Sequence, residues 1–217
     1  MKPRRKLLFS IALHPKTSIQ ERRMLNSDGS EYQNVEEFKL LGDEFVSDPR
    51  TGVRWDTFIQ KCIRQSYANM WILKRLSELG VSIEDKLLTY QSRIRIHLEQ
   101  HTPLWHFSIS KKLSKAIEKV QRTCVILILG QLATADYLCN LALLDLEPLS
   151  DRRDTLCKRF ARKTVKHPVH STMFTFVSDK TTRSTAKSSR KVVVPAARTA
   201  RYDRSAVPNL ARIINSL

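Results

Sequence analysis

From Lys6 to about Asp48 the texture is strand-like: KLLFSIAL, then NSDGSE as a turn, then EFKLLGDEFVSD. This stretch predicts short strands, with Asp28-Gly29 as a hairpin signal. Two or three short strands make a poor independent sheet. Beyond DPRTG the period changes. Ile59, Ile63, Met70, Leu73 and Leu76 recur at helical spacing up to Gly80, a favourable residue just past a helix end. Ser82 and Asp85 come close to a capping box for a second helix, with Leu87, Tyr90, Ile94 and Leu98 as its apolar stripe, and the helix stops at HTP. A third runs from Ser110 as N-cap to Gly130 and buries Leu113, Ile117, Val120, Cys124 and Leu127. Its last turn is apolar on every side, which predicts an end plunging into the core. Thr134 caps a fourth helix through about Leu144, and Ser150 a fifth, DRRDTLCKRFARKTVK, that ends before Pro168. TFVSDKTTRSTAKSSRK reads as a flexible linker, and SAVPNLARIINSL as a short docking helix.

With 217 residues, 41% of them hydrophobic, the chain can bury a real core. The net charge of +17 adds an anionic partner to the picture, nucleic acid before an acidic membrane surface. Most of that field sits late in the chain, where the last 67 residues carry 16 Lys and Arg against 4 Asp and Glu. Cys62, Cys124, Cys139 and Cys157 are widely spaced on helical stretches without a C-x-x-C, as reduced core residues of an intracellular protein are. The longest apolar run, VILIL, is too short to span a bilayer, and no signal-peptide pattern opens the chain. KPRRK at 2–6 fits a nuclear import signal but is a common kind of basic run.

Catalytic constellations are scarce. No phosphate-cradling glycine loop or nucleophile elbow occurs, and the chain has only five glycines. The acid pairs Glu36-Glu37, Asp43-Glu44 and Glu84-Asp85 sit at turns and helix starts, where capping and solvation explain them. HLEQHTPLWH invites a metal reading because His97 and His101 stand four apart. Glu99 points off that face, however, and Pro103 stops the helix before His106, so these read as helix-end and surface groups. Two rows of cations say more. Lys112, Lys115, Lys119 and Arg122 follow one face of the third helix, and Arg152, Arg159, Arg162 or Lys163, and Lys166 follow one face of the fifth. Such rows can track a phosphate backbone, and each is also what a solvated helix face looks like.

Several motifs recur in a recognisable order: W-x-x-x-I at 55–59, L-x-R-L at 73–76, L-E-x-x-x-P-x-W-H at 98–106, I-E-x-V-Q at 117–121, I-L-G at 128–130 and L-x-x-R-R-x-x-L-C-x-x-F at 149–160. In this order they resemble the C-terminal part of reverse transcriptases of jockey-like non-LTR retrotransposons, over about residues 35–174 and again at RYDRSAVPNLARIINSL. The resemblance implies that FKLLG, with Phe38, Leu40, Leu41 and Gly42, is the primer-grip hairpin at the base of a palm, and that the helices form a thumb holding a template–primer duplex. It also places His97 and His101 where the family has apolar residues. The family's metal-binding aspartate doublet has no counterpart, because the chain contains no Asp-Asp pair. Since two-metal catalysis needs those carboxylates, no polymerase activity is expected, and Mg²⁺ belongs to the missing palm. A 5′-truncated element copy beginning at an internal Met fits this pattern.

The expectation is a mainly α fold, a helical thumb-like bundle preceded by a short β-hairpin remnant of an α+β palm. Its parts are a palm remnant at 1–50, a bundle at 51–145, a basic post-thumb helix at 146–174, a flexible basic linker at 175–200 and a docking segment at 201–217. The expected partner is a nucleic acid duplex, an RNA–DNA hybrid, held without sequence preference by Phe38, Leu40, Leu41, Gly42, Lys112, Lys115, Lys119, Arg122, Arg152, Arg159, Lys163 and Lys166. No catalytic or metal-ligating residue, cofactor, small-molecule substrate or membrane is expected. Oligomeric state, and nucleus against cytoplasm, stay open. The alternatives are a helical protein-interaction module and a transposon-derived remnant without function.

Overall fold

The computed structural model describes residues 7–8, 33–34, 37–40, 43–48, 52–53, 55–168, 170–176 and 192–217. The chain divides into two units, Met1–Gln60 and Lys61–Leu217. In the first, β1 (Leu7–Leu8) runs parallel to β2 (Gln33–Asn34), and β3 (Glu37–Leu40), β4 (Asp43–Asp48) and β5 (Gly52–Val53) pair antiparallel in that order. Phe38 stands opposite Phe45, and Leu40 opposite Asp43. The signal at Asp28-Gly29 lies outside the described residues, as do Leu41 and Gly42.

The described residues are mainly helical. Helix α1 (Trp55–Glu78) begins in the first unit and continues into the second. It ends in a two-bond C-cap: the Val81 N–H donates to Leu76 O and the Gly80 N–H to Ser77 O, with Gly80 at φ +67°. A left-handed residue is required there, and glycine adopts it without a Cβ clash. Three residues later α2 (Ile83–Thr89) starts on Ser82, whose Oγ accepts from the Asp85 N–H and donates to its carboxylate. It passes into a π-helical stretch (Tyr90–Arg95) and then α3 (Ile96–Glu99). The stripe accounts for the π turn. Tyr90, Ile94 and Leu98 are fully buried and stand four apart, and a step of four overshoots an α turn by about 40°. The wider π turn takes up that drift. From α1, Ser66 Oγ and Asn69 Nδ2 reach the carbonyls of Ile94 and Arg93 in this stretch.

The α3 helix ends at Glu99, and His101 sits at φ +53°, exposed, ahead of α4 (Thr102–Trp105) with Pro103 in its first turn. His97 and His101 therefore do not share a helix face. Helix α5 (Lys111–Leu129) is capped by Ser110 and ends at Gly130, as its pattern predicts. Its interior differs from the expected stripe. Ile117, Val120, Gln121, Cys124, Val125, Ile128 and Leu129 are buried, Leu113 and Leu127 only in part, and Ile126 is 48% exposed. One side of the apolar last turn thus faces solvent.

Two helix starts need correction. Helix α6 (Tyr137–Leu143) is capped by Asp136, not Thr134, whose backbone N–H and hydroxyl both donate to Asn140 Oδ1. Helix α7 (Leu149–Lys166) starts after Pro148, so Ser150 lies inside it and donates to Asp151 instead of capping. The C-terminal α9 (Ala206–Ser216), preceded by α8 (Ala200–Asp203), packs on α7. Ala161, Phe174, Val192, Leu210, Ala211 and Ile214 form its core. Asn215 clamps the Val192 backbone through both its N–H and its carbonyl, and Val192 bridges to Phe176. The expected 175–200 linker is therefore too long at both ends: Phe176 and residues 192–199 belong to the packed unit, and 177–191 lie outside the described residues. No single helix among the described residues is long and apolar enough to cross a membrane.

Candidate nucleic-acid interface

The motifs of the helical region turn toward one another. Glu99 accepts from Arg95 at 3.3 Å and from Arg152 on α7 at 2.9 Å, and Arg152 also reaches Glu147 at 3.6 Å. The Trp105 indole N–H donates to Gln100 O at 2.7 Å, which holds the buried ring under Arg153. Arg153 is 1% exposed. Its Nε donates to His106 Nδ1 at 3.3 Å and its Nη2 to Ser114 Oγ at 2.7 Å, while Nη1 has no partner. His106 Nε2 meets Asp154 Oδ1 at 2.7 Å. With Nδ1 accepting and Nε2 donating, the imidazole is neutral in this arrangement. Burial first, and the neighbouring guanidinium after it, hold its pKa below the ordinary histidine value against the pull of Asp154.

On α5, Gln121 accepts from the Tyr90 hydroxyl at 2.6 Å and donates to Glu147 O at 2.9 Å and to the Tyr137 hydroxyl at 3.1 Å. Glu118 accepts from the Tyr137 hydroxyl at 2.6 Å and from the Leu149 N–H at 3.1 Å, so it caps α7 from a neighbouring helix. L-E-x-x-x-P-x-W-H, I-E-x-V-Q and L-x-x-R-R are thus the three sides of one polar joint.

Arg153 and Glu118 were not among the expected site residues. A signal for Arg153 exists, because Leu149, Arg153, Cys157 and Ala161 fall four apart on the buried side of α7. Two adjacent arginines cannot both share an outward face, since neighbours on a helix point about 100° apart.

The cation rows divide accordingly. Lys112, Lys115, Lys119 and Arg122 are all exposed along α5, and Arg122 lies 4.7 Å over the Tyr137 ring. On α7, Arg159, Lys163 and Lys166 are exposed, as is Arg162. Among the described residues no ion pair engages these seven expected cations. Arg152 departs from its row: two carboxylates hold it and raise its pKa further, so it belongs to the joint. Phe38 and Leu40 lie on β3.

Among the described residues no three His, Cys, Asp or Glu side chains converge as metal ligands. Glu99, the carboxylate of the histidine-rich stretch, is instead turned to two guanidiniums. No protein-family model, no curated protein and no solved structure matches the chain.

Proposed function

We propose that the chain binds nucleic acid duplexes through their phosphate backbones, without sequence readout and without catalysis, and that it derives from the end of the palm, the thumb and the post-thumb region of a jockey-like non-LTR retrotransposon reverse transcriptase. The carrying observation is the exposed set Lys112, Lys115, Lys119 and Arg122 on α5 with Arg159, Lys163 and Lys166 on α7, which no ion pair among the described residues engages. Lysines without carboxylate partners on a chain of net charge +17 are suited to displacing counterions from phosphates. Further support comes from the polar joint, because the residues that carry the resemblance serve one another in it. Under this reading the β3–β4 pair is the palm remnant and α1–α7 the thumb-like bundle with its following basic helix. Mg²⁺ has no role, since the chain lacks an aspartate doublet.

The test is fluorescence anisotropy over a salt series with an RNA–DNA hybrid and a B-form DNA duplex of equal length. A preference for the hybrid that persists near physiological salt supports an inherited duplex grip. Equal affinities that vanish together with salt contradict it and leave only a basic chain meeting phosphates.

A second reading, self-association through protein contacts, is favoured by α6, whose Leu138 and Leu143 are each 62% exposed and whose outward side carries no charge. A defined oligomer in light scattering, with no duplex binding at physiological salt, would replace the first reading with this one.

A further inference from the structure

The solvent face of α1 carries two large aromatic rings one helical turn apart. Trp71 is 65% exposed and Tyr67 41% exposed. No hydrogen bond among the described residues engages the indole N–H or the phenol, unlike Trp105, whose N–H is satisfied at Gln100 O. An exposed tryptophan with an idle donor is uncommon on a helix that buries Met70 and Leu73 immediately beside it. Arg64 stands three residues before Tyr67 and Lys74 three residues after Trp71, so both cations lie on the aromatic side. Both are exposed, and among the described residues no ion pair holds either. Arg75 is different, tied to Glu78 at 2.9 Å.

We propose that this face binds single-stranded nucleic acid by stacking unpaired bases on Tyr67 and Trp71, with Arg64 and Lys74 on the flanking phosphates. Spacing argues for a single strand. Positions four residues apart on a helix are offset by about 6 Å along its axis, whereas bases stacked in a duplex rise only about 3.4 Å per step. Two neighbouring bases reach the two rings only after unstacking from each other, which an unpaired strand does readily and a duplex does not. Stacking is indifferent to base identity because every base offers a π face, and cations beside the rings select a polyanion over an apolar peptide. The surface does not depend on the α5 and α7 rows, and its ligand differs from theirs in strandedness.

Tryptophan fluorescence of the full chain tests it, with the Trp71 contribution isolated by subtracting the spectrum of a Trp71→Phe variant. The probe is an oligothymidylate of roughly twelve nucleotides, within the usual range of single-strand site sizes, alone or annealed to its complement. The expected result is quenching of the Trp71 component by the single strand and much less by the duplex. Trp71→Ala and Tyr67→Ala should each weaken single-strand binding about tenfold with an unchanged salt slope. Arg64→Gln with Lys74→Gln should lower that slope by about 1.4. Both aromatic positions are solvent-facing, and circular dichroism of each variant verifies the fold. A Trp71 component that the single strand leaves unmoved overturns the proposal, and so does single-strand affinity unchanged in Trp71→Ala. Acrylamide quenching that finds Trp71 shielded in the unliganded protein overturns it too. Duplex binding lost on substituting α5, with single-strand quenching retained, would separate this surface from the duplex grip.

Discussion

His106 shows at the residue scale how the joint depends on protonation. Its Nδ1 accepts from Arg153 Nε, and protonation places a second N–H against that donor while Arg153 already lacks a partner at Nη1. Arg153 and Asp154 face the ring from α7, and Ser114 and Glu118 of α5 complete the surroundings of Arg153. Since the folded pKa is depressed, the unfolded chain binds the proton first, at about 6.5. The stabilisation is complete above that value and is lost as pH falls from it through the folded pKa. The melting temperature should drop over this window, and His106→Gln should flatten that part of the curve; an unaltered pH profile would contradict it. The cysteines allow a second check. Burial pushes the Cys124 and Cys157 thiols up to about 12, and Cys62 is buried as well. Only Cys139 is exposed, and its hydrogen bond to Asp136 raises its pKa. A thiol reagent should therefore modify one site in the native protein, slowly, and four after denaturation.

At the scale of elements, helix ends were largely legible and helix interactions were not. Ser82, Gly80, Ser110 and Gly130 act locally, through the first or last turn, so a short sequence window contains the cause. Thr134 and Asp136 are both good caps, and which one acts depends on Asn140, which fastens the threonine. Helix α7 begins on Pro148 because its first N–H is satisfied by Glu118, a residue 31 positions away. The π turn at Tyr90–Arg95 is likewise a tertiary accommodation that no single residue announces. Asp145, past the end of α6, sits at φ +50°, with the Leu146 N–H donating to Leu141 O and its own to Ala142 O. Asp145→Gly should raise stability by about 0.5–1 kcal/mol in chemical denaturation, and Asp145→Val should lower it.

Across the whole chain, the sequence spells out the site as two cation rows and a set of motifs, and folding divides them differently. Arg152 shares a helix face with Arg159, as a phosphate ligand would; its partner Glu99 comes from a distant turn, and Glu147 from the residues just ahead of α7. The side chains of Glu99 and Arg152 are 16% and 26% exposed, which places this pair between surface and interior. A double-mutant cycle of Glu99→Gln and Arg152→Met should give a coupling of about 1–2 kcal/mol, and duplex affinity in Arg152→Met should stay near that of the parent protein. Val192 falls inside the expected 175–200 linker, yet Asn215 and the α9 core secure it.

The most direct test of the duplex-binding account is the salt dependence of hybrid binding for the parent chain against a variant with Lys112, Lys115, Lys119 and Arg122 all changed to Gln. All four side chains are exposed, so the fold should survive, as circular dichroism can verify. The account predicts that the slope of log K against log salt becomes shallower by roughly 3 to 4, nearly one per phosphate contact. An unchanged slope would contradict it and remove α5 as the contact face.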